Sequence, residues 1–209
     1  MVQTSIIIRT KNEEKWIKHC LQMIHSQSYQ DFEVILVDNE STDNTVALAK
    51  KVGISKLTTV KHFLPGDAIN RGINLSSGQY IVCLSAHCVP RDELWLETLL
   101  SGFEDNTIAG TYGRQVPVSF SSDNDKRDLL ITFGLDKRVQ IKDYFFHNAN
   151  SAIPRSVWEE IPFDEVVTNI EDRVWAKEVL KRGYRIVYEP LASVYHYHGI
   201  NHNHDEERA

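Results

Sequence analysis

Residues 79–90 read QYIVCLSAHCVP, and this stretch decides the fold. Residues 80–84 form an apolar, β-rich run with no polar interruption, the pattern of a strand buried on both faces. The run stops at Ser85-Ala86-His87, and Pro90 bars its continuation. In an open α/β sheet, ligands bind beyond the carboxyl ends of the strands. A small polar group and an imidazole at such an end either face a cleft, toward phosphate or metal, or simply begin a polar loop.

Working outward toward the N-terminus, residues 5–8 are a short β-branched run ending in Arg9-Thr10-Lys11-Asn12-Glu13. The spacing of Trp16, Ile17, Cys20, Leu21 and Ile24 predicts a helix over 13–26, with Asn12 as its N-cap. Residues 32–37, FEVILV, predict a second strand ending at Asp38-Asn39-Glu40-Ser41-Thr42-Asp43. Ser41 or Thr42 is placed to cap the next helix, which runs to Lys51. A weaker strand over 57–62 and a helix over 67–75 lead into the central run. Beyond it, Leu94, Trp95, Leu99 and Leu100 mark a helix, and 108–118 is extended. This alternation of strand and helix predicts a largely parallel sheet.

The second half is less regular. Residues 119–128 carry loop signals, and 129–146 mix apolar and charged residues without a clean period. That segment suits a lid, an acceptor-binding flap or a dimer contact. A short strand over 148–153 and a helical turn over 155–160 follow. Residues 169–182, NIEDRVWAKEVLKR, predict a helix with Ile170, Val174, Trp175, Val179 and Leu180 inward and Gly183 as its stop. Residues 184–188 form a strand that Pro190 closes, and 193–199 are extended. No internal repeat or linker divides residues 1–209, which reads as a single domain.

The 209 residues are 42% apolar and 25% charged, ordinary for a globular protein with a sizeable core. A net charge of −6 without a basic block excludes non-specific nucleic-acid binding as the main task. Cys20, Cys83 and Cys88 are an odd set without paired spacing, so no disulfide framework is expected. Cys20 and Cys83 read as core residues, and Cys88 lacks partners at zinc-finger spacing. No apolar stretch reaches the roughly 20 residues that span a bilayer. The N-terminus does not read as a secretion signal. The expected location is cytoplasmic, with attachment to the inner face of the membrane left open.

Three predicted strands end in polar groups, at Thr10-Lys11-Asn12-Glu13, at Asp38-Asn39 and at Ser85-Ala86-His87. As parallel neighbours they converge on one edge, a geometry suited to a nucleotide. Asp38 either accepts from a base N–H or a ribose hydroxyl, or caps the following helix. Glu171 and Asp172 open a helix, where the dipole favours acids; a carboxylate there, facing a cleft, also serves as a general base. His196 and His198 share a face of a strand, about 7 Å apart along the chain, and two neutral imidazoles so placed suit a divalent cation. His202 and His204 extend the run as a solvated tail.

These stretches resemble a family 2 glycosyltransferase of the GT-A fold. SIIIRTKNE resembles the first strand and nucleotide loop, and EVILVDNESTDNT the segment whose first aspartate meets the base. AINRGINLSSGQYIVCLSAHC resembles the run ending in the Asp-x-Asp metal motif. FDEVVTNIEDRVWAKEVLKRGYRIVYEPLASVYHYHG resembles the acceptor-side helix with its Glu-Asp pair and the histidine strand after it, especially in rhamnosyltransferase-like members. The resemblance runs from Ser5 to about Gly199. It implies a nucleotide-binding part over about 1–118 and an acceptor-side part over about 119–200.

The resemblance also implies roles. Thr10, Asn12 and Glu13 line the nucleotide pocket, Asp38 meets the base, and Asn70 and Arg71 lie near the ribose and phosphates. Asp172 is the catalytic base, with Glu171 shaping the acceptor site. His196 or His198 approaches a metal or the diphosphate. The expected reaction is inverting transfer of a hexosyl or deoxyhexosyl group from a nucleotide-diphosphate sugar to a hydroxyl of a glycan or lipid-linked acceptor, in surface polysaccharide synthesis. Peripheral membrane association and a homodimer are compatible with it.

The departure is Ser85-Ala86-His87 in place of Asp-x-Asp, with Asn39 a milder one beside Asp38. Ser85 brings no carboxylate, while His87 still ligates transition metals. Losing hard oxygen ligands weakens Mg²⁺ and favours Mn²⁺. Either a divalent metal binds at His87, His196 and His198, or these histidines and Arg71 neutralise the leaving group without one. The rival to an enzyme is a degenerate module that holds a nucleotide sugar or glycan without reaction. A nucleotidyltransferase lacks support, because no Gly-rich, basic loop follows the first strand.

Overall fold

The structure is a computed structural model that describes residues 2–198. Its centre is β1 (Thr4–Thr10), flanked by β2 (Phe32–Asp38) and β4 (Tyr80–Ser85), both parallel to it. β3 (Lys56–Thr59) continues the parallel part beyond β2. On the other side β8 (Asn150–Pro154) runs antiparallel to β4, and β6 (Ile108–Pro117) antiparallel to β8. β9 (Arg185–His196) is parallel to β6 and carries two short antiparallel partners, β5 (Cys88–Pro90) and β7 (Arg138–Gln140). The order is β3-β2-β1-β4-β8-β6-β9-β5, with β7 on β9. The sheet is parallel on the nucleotide-motif side and mixed beyond β4.

Strands buried on both faces need apolar residues at every position. Ile6 and Ile8 face one core, with Ile17, Cys20, Leu21 and Ile24 of α1 (Ile17–His25) and Trp95 of α4 (Trp95–Leu100). Ile7 faces the other core, with Ile69 and Ile73 of α3 (Pro65–Leu75) and Trp175 of α7 (Glu171–Lys181). Gly72 lets α3 lie close on the sheet: a Cβ there would stand 2.5 Å from Ile7 Cγ2 and 2.9 Å from Val37 Cγ2. All three cysteines are free and buried, and burial pushes the Cys83 thiol up to about 12.

Several boundaries differ from the sequence reading. α1 begins at Ile17, after a turn over Glu13–Trp16, and Asn12 is no cap. Its φ is +52°, and its Oδ1 accepts from the Thr42 N–H. α2 (Thr45–Val52) is held by Asp43, which accepts from the Thr45 N–H, and by neither Ser41 nor Thr42. Residues 119–128 are not all loop, because α5 (Asp123–Thr132) starts within them, capped by Ser122 Oγ accepting from the Asp125 N–H. Ile170 precedes α7 and is exposed, while Trp175, Ala176 and Val179 form the buried face. α6 is the expected turn, Arg155–Glu160.

Of the two prolines expected to stop strands, Pro90 does and Pro190 does not. Pro90 ends β5, an edge strand, where a missing N–H costs little. Pro190 lies inside β9, which bypasses it through a register shift against β6 between Gly113 and Gln115. His202 and His204 lie outside the described residues.

Candidate functional site

Register brings the strand ends together. Thr10 stands opposite Asp38 across β1–β2, and Arg9 opposite Ser85 across β1–β4. Thr10 is buried, and its hydroxyl has no hydrogen-bond partner among the described residues. A buried hydroxyl left unpaired is costly, and a ligand atom above the strand end would satisfy it. Asp38 is buried too, and both its oxygens accept from Ser41, one from the N–H at 3.0 Å and one from the hydroxyl at 2.6 Å. The turn after β2 therefore has a structural use for this carboxylate.

A histidine cluster lies beside these ends. β5 pairs with β9 so that Cys88 faces His196, which sets His87 next to His196 with rings stacked at 5.1 Å. His198 completes the group, its Nε2 3.1 Å from His87 Nε2. One nitrogen from each of His87, His196 and His198 lies within 4.8 Å of the others. On the far side of the His87 ring, Nδ1 is 2.8 Å from Glu13 Oε1. A carboxylate only accepts, so Nδ1–H donates, which in the neutral form of the ring leaves the lone pair on Nε2, toward the cluster. That is how a ligating histidine is oriented by a second group. The donor set fits a divalent transition cation: three imidazole nitrogens that small shifts bring around one ion, with one ring already oriented. It suits Mg²⁺ poorly, for want of oxygen ligands.

The acidic pair at the start of α7 closes the arrangement. Glu171 and Asp172 are both buried. Arg9 Nη1 reaches Glu171 Oε1 at 3.3 Å, tying the end of β1 to α7. Asn148 addresses both acids: its amide Nδ2 donates to Glu171 Oε1 at 3.3 Å and its backbone N–H to Asp172 Oδ2 at 3.4 Å. Burial pushes the Asp172 carboxyl above the ordinary aspartate range, against the N–H groups of Arg173 and Asn148 and the charges of Arg9 and Arg173. A carboxyl so raised is a better proton acceptor than a free aspartate.

Among the described residues, Thr10, Glu13, Asp38, Ser85, His87, His196, His198, Glu171 and Asp172 gather at one end of the sheet around β1. Asn12 stays at its rim, its backbone N–H donating to Ser41 Oγ. Asn70 and Arg71 do not join them. Asn70 is buried between α3 and the 158–165 segment, accepting from Trp158 Nε1 at 2.8 Å and donating to the Phe163 carbonyl and Glu165. Arg71 is exposed and paired one helical turn back with Asp67. Arg9 and Asn148 escaped the sequence reading. A lone arginine in the run SIIIRT is a legible signal of a buried ionic partner, whereas Asn148 borders the stretch without a period.

The sequence model of the family described as "Glycosyl transferase family 2" matches residues 5–162. The chain belongs to glycosyl transferase family 2. It is 27% identical over 212 residues to the O-antigen chain rhamnosyltransferase WbaN of Salmonella anatum, an alignment covering 95% of this chain and 67% of that protein. RfbN of Salmonella typhimurium, also an O-antigen chain rhamnosyltransferase, is 28% identical over 94% of this chain and 67% of its own length. The chain thus spans about two thirds of these relatives.

Solved structures agree on the GT-A fold. A mannosyltransferase from Pyrobaculum calidifontis, solved with GDP-Man and Mn²⁺, superposes with a TM-score of 0.70 at 19% identity, over 93% of this chain and 56% of that one. TarS of S. aureus with UDP gives 0.75 at 17%, over 93% and 60%. The family match stops before α7, so the acidic pair and His196 and His198 fall only within the longer alignments to single relatives.

Proposed function

We propose that this glycosyltransferase is an inverting enzyme that moves a sugar from a nucleoside diphosphate to a hydroxyl of a glycan or lipid-linked acceptor in surface polysaccharide synthesis. The observation that carries this reading is the buried Asp172, its affinity for a proton raised, at the sheet end that also holds the histidine cluster. Support comes from relatives named as O-antigen chain rhamnosyltransferases and from fold neighbours solved with GDP-Man, UDP and UDP-GlcNAc.

In this reading the nucleotide lies across the ends of β1, β2 and β4. Thr10 offers its unpaired hydroxyl, and Asp38 accepts from the base while keeping the turn at Ser41. Asn12 and Ser85 border the pocket. Asp172 takes the proton of the acceptor hydroxyl. The hydroxyl oxygen attacks the anomeric carbon from the face opposite the diphosphate, and the carbon–oxygen bond to the diphosphate breaks with its electron pair. Glu171, tied to Arg9 and Asn148, shapes the acceptor side. His87, His196 and His198 would hold a divalent cation, with Glu13 orienting His87; when bound, that cation offsets negative charge on the diphosphate.

A panel of nucleotide sugars, each with and without Mn²⁺ and a glycan acceptor, tests the reading through release of nucleoside diphosphate. Sugar-dependent release with inverted configuration at the new bond is the expected result. Binding of a nucleotide sugar without release under every condition would make the chain a degenerate binding module, the alternative suggested by Ser85-Ala86 at the end of β4.

A further inference from the structure

Gln115, on β6, is 1% exposed, and neither its Oε1 nor its Nε2 has a hydrogen-bond partner among the described residues. It is the one amide side chain among them with both ends buried and unpaired. The buried amides of Asn70 and Asn150, by contrast, are bonded at both ends. An amide left in that state is costly, and a bound ion or ligand is what satisfies such a group.

Register says which way it faces. β6 stands beside β9 with Gln115 opposite Val194 and Pro117 opposite His196. Residues two apart on a strand share a face, so Gln115 lies on the face of His196, about 7 Å back along the strand. Arg114 turns to the other face, where its Nε donates to the Phe133 carbonyl. The neighbours of Gln115 on its own face offer it nothing polar. Val194, opposite it, and Cys88, opposite His196 on β5, are both packed in the core with Trp95. One step further along the same face is the histidine cluster, where one nitrogen from each of three rings lies within 4.8 Å of the others. What that set lacks is an oxygen, and the Gln115 amide has one to give.

We propose that Gln115 Oε1 is a fourth donor to a divalent cation at His87, His196 and His198. The assignment rests on the reading of these three histidines as a cation site. An amide oxygen is a hard, neutral donor, and adding it to three imidazole nitrogens moves the site toward Mn²⁺. It also accounts for an amide buried with no partner of its own. With four neutral donors the cation keeps its double charge for the diphosphate, where the carboxylates of an Asp-x-Asp motif would cancel part of it.

Titration calorimetry of the metal-free protein with MnCl₂ tests it, beside the melting temperature. The parent protein is expected to bind Mn²⁺ and His198→Ala to lose it, which locates the ion at the histidines. Gln115→Leu removes the amide at similar volume and should weaken Mn²⁺ binding at least about tenfold. In the metal-free state it should melt no lower than the parent, since no hydrogen bond is lost. Gln115→Glu returns an oxygen donor, so it should bind Mn²⁺ at least as tightly as the parent and let Mg²⁺ compete. Equal Mn²⁺ affinity in the parent and Gln115→Leu overturns the assignment of Gln115 and leaves the three-histidine site standing. A Gln115→Leu protein that binds weakly and melts lower, with no recovery in Gln115→Glu, also overturns it, by giving the side chain a packing role. No Mn²⁺ bound by the parent, or equal binding by His198→Ala, removes the cation site itself and the fourth donor with it.

Discussion

Asp172 is the residue on which most depends. Asp172→Asn keeps the shape and one acceptor oxygen but cannot take a proton. Transfer should fall by about 10²–10⁴-fold, with nucleotide affinity nearly unchanged in calorimetry. The pH dependence has a definite sign. The base works only when ionised, so kcat declines as pH falls through the raised pKa, and the acid limb lies above the ordinary aspartate range. For stability, a raised folded-state pKa favours the fold most below the unfolded value, and that gain is lost as pH rises through the folded value. At neutral pH the buried charge is a net cost, so Asp172→Asn should melt no lower than the parent protein. Glu13 acts one step further out. Glu13→Gln leaves the three imidazoles but weakens the orientation of His87, and Mn²⁺ affinity should drop about 10–100-fold in titration calorimetry. Unchanged affinity would detach Glu13 from the cluster.

At the scale of elements, α3 holds Asn70 in a structural junction. Asn70 matters as a buried junction: Trp158, Phe163 and Glu165 use its amide on both sides. Asn70→Ala strands the Trp158 N–H and should cost about 1–3 kcal/mol in denaturant unfolding, while Kd for the nucleotide holds. A selective loss of nucleotide affinity at full stability would return Asn70 to the pocket. β1, β2, β4 and α7 were legible because apolar runs and helical spacing are local signals. β8 and β9 were harder. Whether Pro190 ends a strand depends on a register shift against β6, and that belongs to the partner strand. α5 was hidden because its helix-capping serine sits in a polar stretch that also reads as loop. The histidine cluster was half visible: the spacing of His196 and His198 is in the sequence, but their meeting with His87 depends on β5 pairing with β9.

For the molecule as a whole, the division into a nucleotide part over 1–118 and an acceptor part over 119–200 does not correspond to separable pieces of sheet. β6 lies between β8 and β9, and β4 touches β8, so strands from the two stretches interleave. A fragment of residues 1–118 should fail to fold: circular dichroism should show no cooperative melt, where independent halves would each give one. The same interleaving has a bearing on synthesis. The ribosome releases β6 well before β8, and β8 well before β9, so the newborn chain must wait with an apolar strand and an open edge exposed. Chaperone demand during translation should therefore peak across that interval, and slowing elongation there would prolong the hazard rather than relieve it.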